Sequence, residues 1–249
     1  MMGASGRIQL FLRSFLIQGS WNHRTLMGTG MAWALLPFTG EGKGHELTRG
    51  AAVPPDEPFN THPYLSCVAL GALARGGDPE RGPDDWRRFR YALGSPLGSL
   101  GDRLIWGGWR PFCLVSAMLL ASVGVQPAIV VALFLVLYNA PHLALRAWGL
   151  AAGLKFGIGV GRAIESAQLS RTSERVRSGG VLVVGSLLGI LGQRSLSPSG
   201  LGPLWVLGAA VFLLAGVVSG ERLRRWVPTM LLCIVAFGLL AAPILGGSD

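Results

Sequence analysis

An all-α integral membrane protein is the fold class this sequence predicts, and three observations carry that expectation. Half of the residues are hydrophobic and only 14% are charged, where soluble domains run near a quarter charged. Residues 112–138 form an uncharged apolar run, and a helix needs about 20 such residues to cross a bilayer. Against that run lies Pro96–Pro111, a stretch holding four glycines after Pro96, Trp106, Trp109, Asp102, Arg103 and Arg110. Charge so close to a membrane-grade segment is expensive unless it faces protein or water. Glycine-rich backbone at membrane depth is tolerated only where protein buries it or a wet cavity receives it.

The 249 residues read as a single membrane domain, 1–249. The formal charge of +9 would suggest nucleic acid in a soluble protein. Here the arginines sit mostly at the ends of apolar segments, which favours cytoplasmic anchoring near anionic lipid, and no nucleic-acid partner is expected. Cys67, Cys113 and Cys233 are odd in number, widely spaced and set among apolar residues, so they read as small buried hydrophobes. His23, His45, His62 and His142 lack metal-ligand spacing. No metal, cofactor or catalytic residue is expected.

Along the chain, Ile8, Phe11, Leu12, Phe15 and Leu16 recur at i, i+3, i+4, i+7, i+8. That pattern predicts an amphipathic N-terminal helix within 1–22, lying in the cytoplasmic interface or against a partner. The apolar segments 26–38 and 64–74 are too short to cross a bilayer. Polar, Gly/Pro-rich loops separate them at 39–58 and 75–90, with Trp86 to Arg90 opening a surface helix. Pro127, just after Gly124, splits 112–138, and Arg103 and Arg110 precede the run while Arg146, Lys155 and Arg162 follow it. Both ends therefore read as cytoplasmic, which favours a re-entrant hairpin or broken helix pair, although one tilted span also accommodates the length. Gly149, Gly153, Gly157 and Gly161 fall every fourth residue. They form one face if 147–164 is helical, and that face docks a partner or an internal helix. Segments 180–192, 204–220 and 227–245 are the remaining membrane helices, with arginine-rich loops at 162–177 and 221–226.

Candidate site residues stand where polar groups interrupt apolar sequence. Gln18, Trp21 and Asn22 combine amides and an indole where the first helix enters the membrane zone. Planar amides suit sugar hydroxyls and an indole face suits a sugar ring, but Trp is equally ordinary at an interface. Asn60 and His62 alternate with Tyr64 before an apolar segment, and Pro63 fixes the turn. Asp102 serves either as an N-cap for a helix beginning at Arg103 or as a buried carboxylate paired with Arg103 or Arg110 or holding sugar hydroxyls. Trp106, Arg110 and Asn139 complete the set.

Four ordered blocks resemble the enzyme IID subunit of the mannose/fructose/sorbose sugar phosphotransferase system. They are Phe11–Asn22, Phe59–Tyr64, Gly94–Pro111, and Tyr138-Asn139 through Arg146, Gly149, Gly153, Lys155 and Gly157. The third matches a family segment reading roughly G-P-L-A-G-x-G-D-x-x-x-W-G-x-x-R-P, with Ser95 inserted, Ser99 for the small residue and Arg103 where the family has a small or apolar residue. The resemblance implies a non-catalytic permease subunit of a bacterial inner membrane, crossing it several times. It would pair with an enzyme IIC subunit in a higher-order hetero-oligomer and help translocate a hexose. Soluble IIA and IIB proteins would carry the phosphoryl group. The alternative is a regulatory or structural membrane protein that keeps the IID scaffold without moving sugar.

Overall fold

The computed structural model describes residues 2–38, 53–76 and 82–196. The chain forms two compact units, Met1–Val184 and Gly185–Asp249. Among the described residues the regular structure is helical, and two isolated bridges, Asn22 with Leu26 and Leu26 with Phe59, are the extended pairings. The expected segments 204–220 and 227–245 lie outside the described residues.

Helix α1 (Ala4–Arg13) continues into one 3₁₀ turn, Ser14–Leu16. Its inward face is Leu10, Ser14 and Ile17, all fully buried. Ile8, Leu12 and Leu16, expected on one apolar face with Phe11 and Phe15, instead stand 60%, 60% and 62% exposed. The apolar side of this helix is thus divided, part of it on the core and part turned outward. Helix α2 (Gly28–Leu35) packs beside it, and helix α3 (Ser66–Ala74) is buried along its entire length. A nine-residue helix with no polar face and flanking turns can exist only as a core element.

Helix α4 (Pro83–Gly101) begins three residues before the helix expected to open at Trp86 and shortens the loop expected at 75–90. Pro83 opens it with a preset φ, Asp84 and Asp85 complement its N-terminal dipole, and Trp86, Arg90, Leu93, Leu97 and Leu100 form its buried stripe. Trp86, expected at the surface, is completely covered. The helix does not stop at the glycine-rich motif. It passes into a π-helical segment, Asp102–Trp109, and then into α5 (Arg110–Ser122). Asp102 therefore has helical backbone on both sides and caps no helix start, because the N–H groups a cap would satisfy already have carbonyl partners in the preceding turn.

The 112–138 run reverses at 123–126. Gly124 at φ +88 sits where a left-handed residue must end α5. Its N–H donates to Ala121 O at 3.1 Å, and the Val125 N–H donates to Leu120 O at 3.1 Å, the two bonds of a Schellman stop. Helix α6 (Pro127–Phe156) then returns alongside α5 and runs far past 138. Within it, Pro141 has no N–H for the Leu137 carbonyl. The Trp109 indole Nε1–H donates to that same carbonyl at 3.2 Å, so the proline's missing bond is replaced from the π-helical segment. This bond also sets the base of the hairpin level.

The glycine stripe expected over 147–164 is interrupted. Gly157, at φ +54, ends α6 and leads through a 3₁₀ turn (Gly157–Gly159) to α7 (Val160–Ser166). Gly149 and Gly153 do form a packing face, and it is internal. A Cβ on Gly153 would stand 2.4 Å from Val68 O and 2.5 Å from Ala72 N of α3. Gly161 has open space around it and Gly157 meets the Arg75 side chain. The region 162–177, expected as a loop, is helical: α7 is followed by α8 (Leu169–Leu196), which contains the expected segment 180–192. Ser173 of α8 donates to Arg103 O at 3.0 Å, fastening α8 to the π-helical segment. Two stretches, Pro83–Ser122 and Pro127–Ser195, are long and apolar enough to cross a membrane.

Gly153→Leu is expected to unfold the α3–α6 contact, because backbone rather than a flexible side chain fills the space. Gly161→Leu is expected to leave stability unchanged. Thermal unfolding of the two variants in detergent checks the contrast. For the hairpin base, Trp109→Phe is expected to cost about 1 kcal/mol through the orphaned Leu137 carbonyl. In a Pro141→Ala background the restored N–H should absorb most of that loss, so unfolding of the four variants in a double-mutant cycle should be non-additive.

Candidate functional site

The strap 57–65 between the first two helices and α3 lies along α4. Arg90, buried on α4, holds Glu57 with both carboxylate oxygens: Nε donates to Oε1 at 3.2 Å and Nη2 to Oε2 at 2.5 Å. Buried pairs of this fork geometry fix register, and removing one partner strands the other charge. Beyond the pair, a Cβ on Gly94 would meet the Asn60 carbonyl at 2.7 Å, and one on Gly101 would meet His62 Cβ at 2.2 Å. The glycines of the Gly94–Pro111 block are therefore the bed on which the Phe59–Tyr64 block rests.

His62 is buried at 1% exposure. Its Nδ1 accepts the Tyr64 N–H at 3.2 Å, and its ring meets Tyr64 and Trp106 edge-on at 5.1 and 5.5 Å. Burial, and then the Arg146 guanidinium, lowers its pKa to about 4, so the imidazole is neutral and carries its proton on Nε2. That nitrogen and the adjacent Thr61 Oγ1 are buried without a hydrogen-bond partner.

Beside the strap sits the most polar point of the interior. Arg146 of α6 is 3% exposed. Its Nε donates to His142 Nε2 at 2.6 Å, and its Nη1 donates to Ser14 O at 2.7 Å and Ser14 Oγ at 3.0 Å. The guanidinium also lies 4.7 Å from the Phe15 ring. His142 stacks on Tyr64 at 3.8 Å, and the Tyr64 hydroxyl donates to that of Tyr138 at 3.0 Å. Residues 142 and 146 share a face of α6 by their i, i+4 spacing. The cation is satisfied by a helix-end carbonyl, a hydroxyl, an imidazole and an aromatic face, and among the described residues it pairs with no carboxylate.

The expected site residues are not gathered in one pocket. Asn22 is engaged locally: its Oδ1 accepts from the N–H groups of Arg24 and Thr25 at 2.9 Å, and its Nδ2 donates to Ser20 O and Thr25 Oγ1. It shapes the 20–26 loop rather than presenting a free amide. Gln18 and Trp21 are exposed in the same loop, and Trp21 meets His23 edge-on at 4.9 Å. Asn139 is exposed on α6 and donates to Leu135 O at 2.8 Å. Asn60 contributes its carbonyl to the strap and leaves its side chain exposed. Trp106 and Arg110 are the pair that comes together, while Asp102, expected as a buried carboxylate paired with Arg103 or Arg110, is exposed and forms no ion pair among the described residues. All three are exposed at four-residue spacing along the widened helix, and the Arg110 guanidinium lies 5.1 Å from the Trp106 ring.

Arg146, by contrast, reads in the sequence as a flank of the apolar run. Its membership in the fourth block, beside His142, was the available signal. The Glu57–Arg90 pair left none, since 33 residues separate the partners. Arg146→Lys is expected to be as damaging as Arg146→Met. An ammonium on a flexible stem cannot reach His142 and Ser14 together, and a loss of about 3 kcal/mol is expected from the stranded serine carbonyl and imidazole. Unfolding in detergent, compared between the two variants, measures it.

The four blocks thus meet: the first joins the fourth by the Arg146–Ser14 hydrogen bonds, the second joins the fourth by the Tyr64–His142 stack and the Tyr64–Tyr138 hydrogen bond, and the second packs on the third where His62 lies against Gly101. The family model described as the PTS system mannose/fructose/sorbose family IID component matches residues 3–191. The mannose-specific EIID component of Escherichia coli K12 is 29% identical over 189 residues, 72% of this chain and 65% of that protein. The fructose permease IID component of Bacillus subtilis 168 is 27% identical over 186 residues, 72% of this chain and 66% of that one. The sorbose-specific EIID component of Klebsiella pneumoniae is 27% identical over 188 residues, 73% of this chain and 68% of that one. This chain thus spans about two thirds of the length of these relatives. Among solved structures, one titled as a membrane protein has a TM-score of 0.62 at 24% identity, covering 95% of this chain and 97% of the other. A chain in a cryo-EM structure of the mannose transporter ManYZ in complex with microcin E492 has a TM-score of 0.51 at 21% identity, covering 96% of this chain and 97% of the other, and these two likenesses speak to the fold. The chain belongs to the IID component family of the mannose/fructose/sorbose phosphotransferase systems.

Proposed function

We propose that this chain is the non-catalytic membrane subunit of a phosphoenolpyruvate-dependent sugar permease, seated in a bacterial cytoplasmic membrane. It pairs with an enzyme IIC subunit, in several copies of each, to translocate a hexose of the mannose/fructose/sorbose class. Phosphoryl transfer belongs to soluble IIA and IIB partners. The observation that carries the reading is the exposed row Asp102–Trp106–Arg110. It adjoins a surface on which Leu114, Met118, Ile129, Leu133 and Val136 face outward from α5 and α6. Ionic side chains beside so apolar a surface require water or protein opposite them, and a carboxylate and an indole one turn apart on an exposed helix face are groups that can hold sugar hydroxyls and a sugar ring.

In membranes reconstituted with all subunits, Asp102→Asn is expected to reduce uptake and phosphorylation of labelled hexose by about tenfold, the equivalent of one charge-assisted hydrogen bond. Copurification with the IIC partner should persist. Unchanged uptake would remove Asp102 from the sugar path. No phosphorylated sugar from the unmodified chain, with all partners present and folded, would favour a regulatory subunit instead.

A further inference from the structure

We propose that the outward face of α1 is an in-plane membrane anchor that seats on an anionic lipid interface. Three observations on this one element carry the inference. Ile8, Leu12 and Leu16 form an exposed row at i, i+4, i+8, each about 60% exposed, so the helix spends three large apolar side chains on something other than this chain's core. The neighbouring surface extends the row, because Arg13 donates to the Trp33 carbonyl and lies 4.1 Å over the Trp33 ring, and Trp33 and Leu36 are themselves 39% and 63% exposed. The charge on the same stretch of chain has one sign. Arg7, Arg13 and Arg24 fall within residues 1–38, and that stretch contains no Asp or Glu.

Apolar leucine and isoleucine, an indole at the border and arginines without acids make up the side-chain set of helices that lie in the headgroup region of anionic bilayers. A protein partner covering the same row would need acidic groups facing Arg7, whereas phosphate-bearing lipid supplies them without any specific surface. Core packing explains Leu10, Ser14 and Ile17; it leaves Ile8, Leu12 and Leu16 unexplained. The row also lies on the element whose end Arg146 grips, so the anchor is rigidly joined to the buried centre.

The inference rests on the membrane reading proposed above, and its test separates the two. Single spin labels are placed at Leu12→Cys, Gln9→Cys and Val136→Cys in the full chain assembled with its partner, with Cys233→Ser as background since Cys67 and Cys113 are buried. The carrier is a phosphatidylcholine bilayer with about a quarter phosphatidylglycerol. The label at 12 is expected about 5–10 Å into the headgroup and acyl boundary, reached by oxygen. The label at Gln9, exposed on the polar side, should be reached by aqueous nickel, and replacing the anionic lipid with phosphatidylcholine should move the label at 12 outward. A label at 12 that nickel reaches, that neither agent reaches, or whose depth ignores lipid charge overturns the anchor while Val136 stays oxygen-accessible. If Val136 too is closed to oxygen, the membrane reading itself fails and takes the anchor with it.

Discussion

A buried guanidinium fixes the arrangement on which the rest of this fold depends. Moving a cation out of water costs several kcal/mol after relaxation, and among the described residues Arg146 recovers that cost without a carboxylate. Its partners are the carbonyl and hydroxyl of Ser14, where the first helix ends, and the imidazole of His142 one turn back on its own helix. A helix C-terminus carries partial negative charge, so the end of the N-terminal helical segment serves as the counter-charge. Few placements satisfy all of these groups at once. Once α6 is rotated so that residues 142 and 146 face Ser14 and Tyr64, the glycines at 149 and 153 necessarily continue along the neighbouring face toward α3.

That rotation explains why the α3–α6 contact is built from small residues. Gly71, Ala72 and Val68 meet Gly149 and Gly153 at backbone distance, and at such separations weak Cα–H···O contacts and dispersion replace side-chain interdigitation. The hydrophobic effect contributes little between helices already in lipid. Close fit and the few buried polar bonds then carry the specificity. The Trp109 bond to the carbonyl freed by Pro141 belongs to the same economy: a proline kink is kept because an indole from the adjacent helix satisfies what the kink exposes.

Much of this was legible in the sequence, and the errors have physical causes. Helical class and the break at Gly124 and Pro127 follow from apolar runs and from a glycine and a proline that interrupt one of them. Asp102 was misplaced as an alternative cap because a Gly-Asp pair before an apolar run is what a helix start looks like, and no local signal marks a helix that widens instead of restarting. The glycine stripe was extended too far since spacing cannot reveal the positive φ that ends α6 at Gly157. Arg146 read as a flank because an arginine between apolar segments looks the same whether it faces phosphate or a buried serine. Its role depends on a bond to a residue 132 positions away, and only tertiary structure supplies that.

The distribution of polar groups completes the physical picture. In a soluble domain the cation would be outside and the leucines of α5 and α6 inside; here Arg146 is at 3% exposure and Val136 at 67%. Such an inversion is stable only where the surroundings are themselves apolar, and under that condition the outward row Asp102–Trp106–Arg110 becomes the exception. A carboxylate and a guanidinium facing hydrocarbon would each cost more than the π-helical segment's packing could offset. They must therefore face water or another protein. The inward polar centre is satisfied within this chain, while the outward row is not, and that asymmetry separates the scaffold from the surface that must meet water or protein.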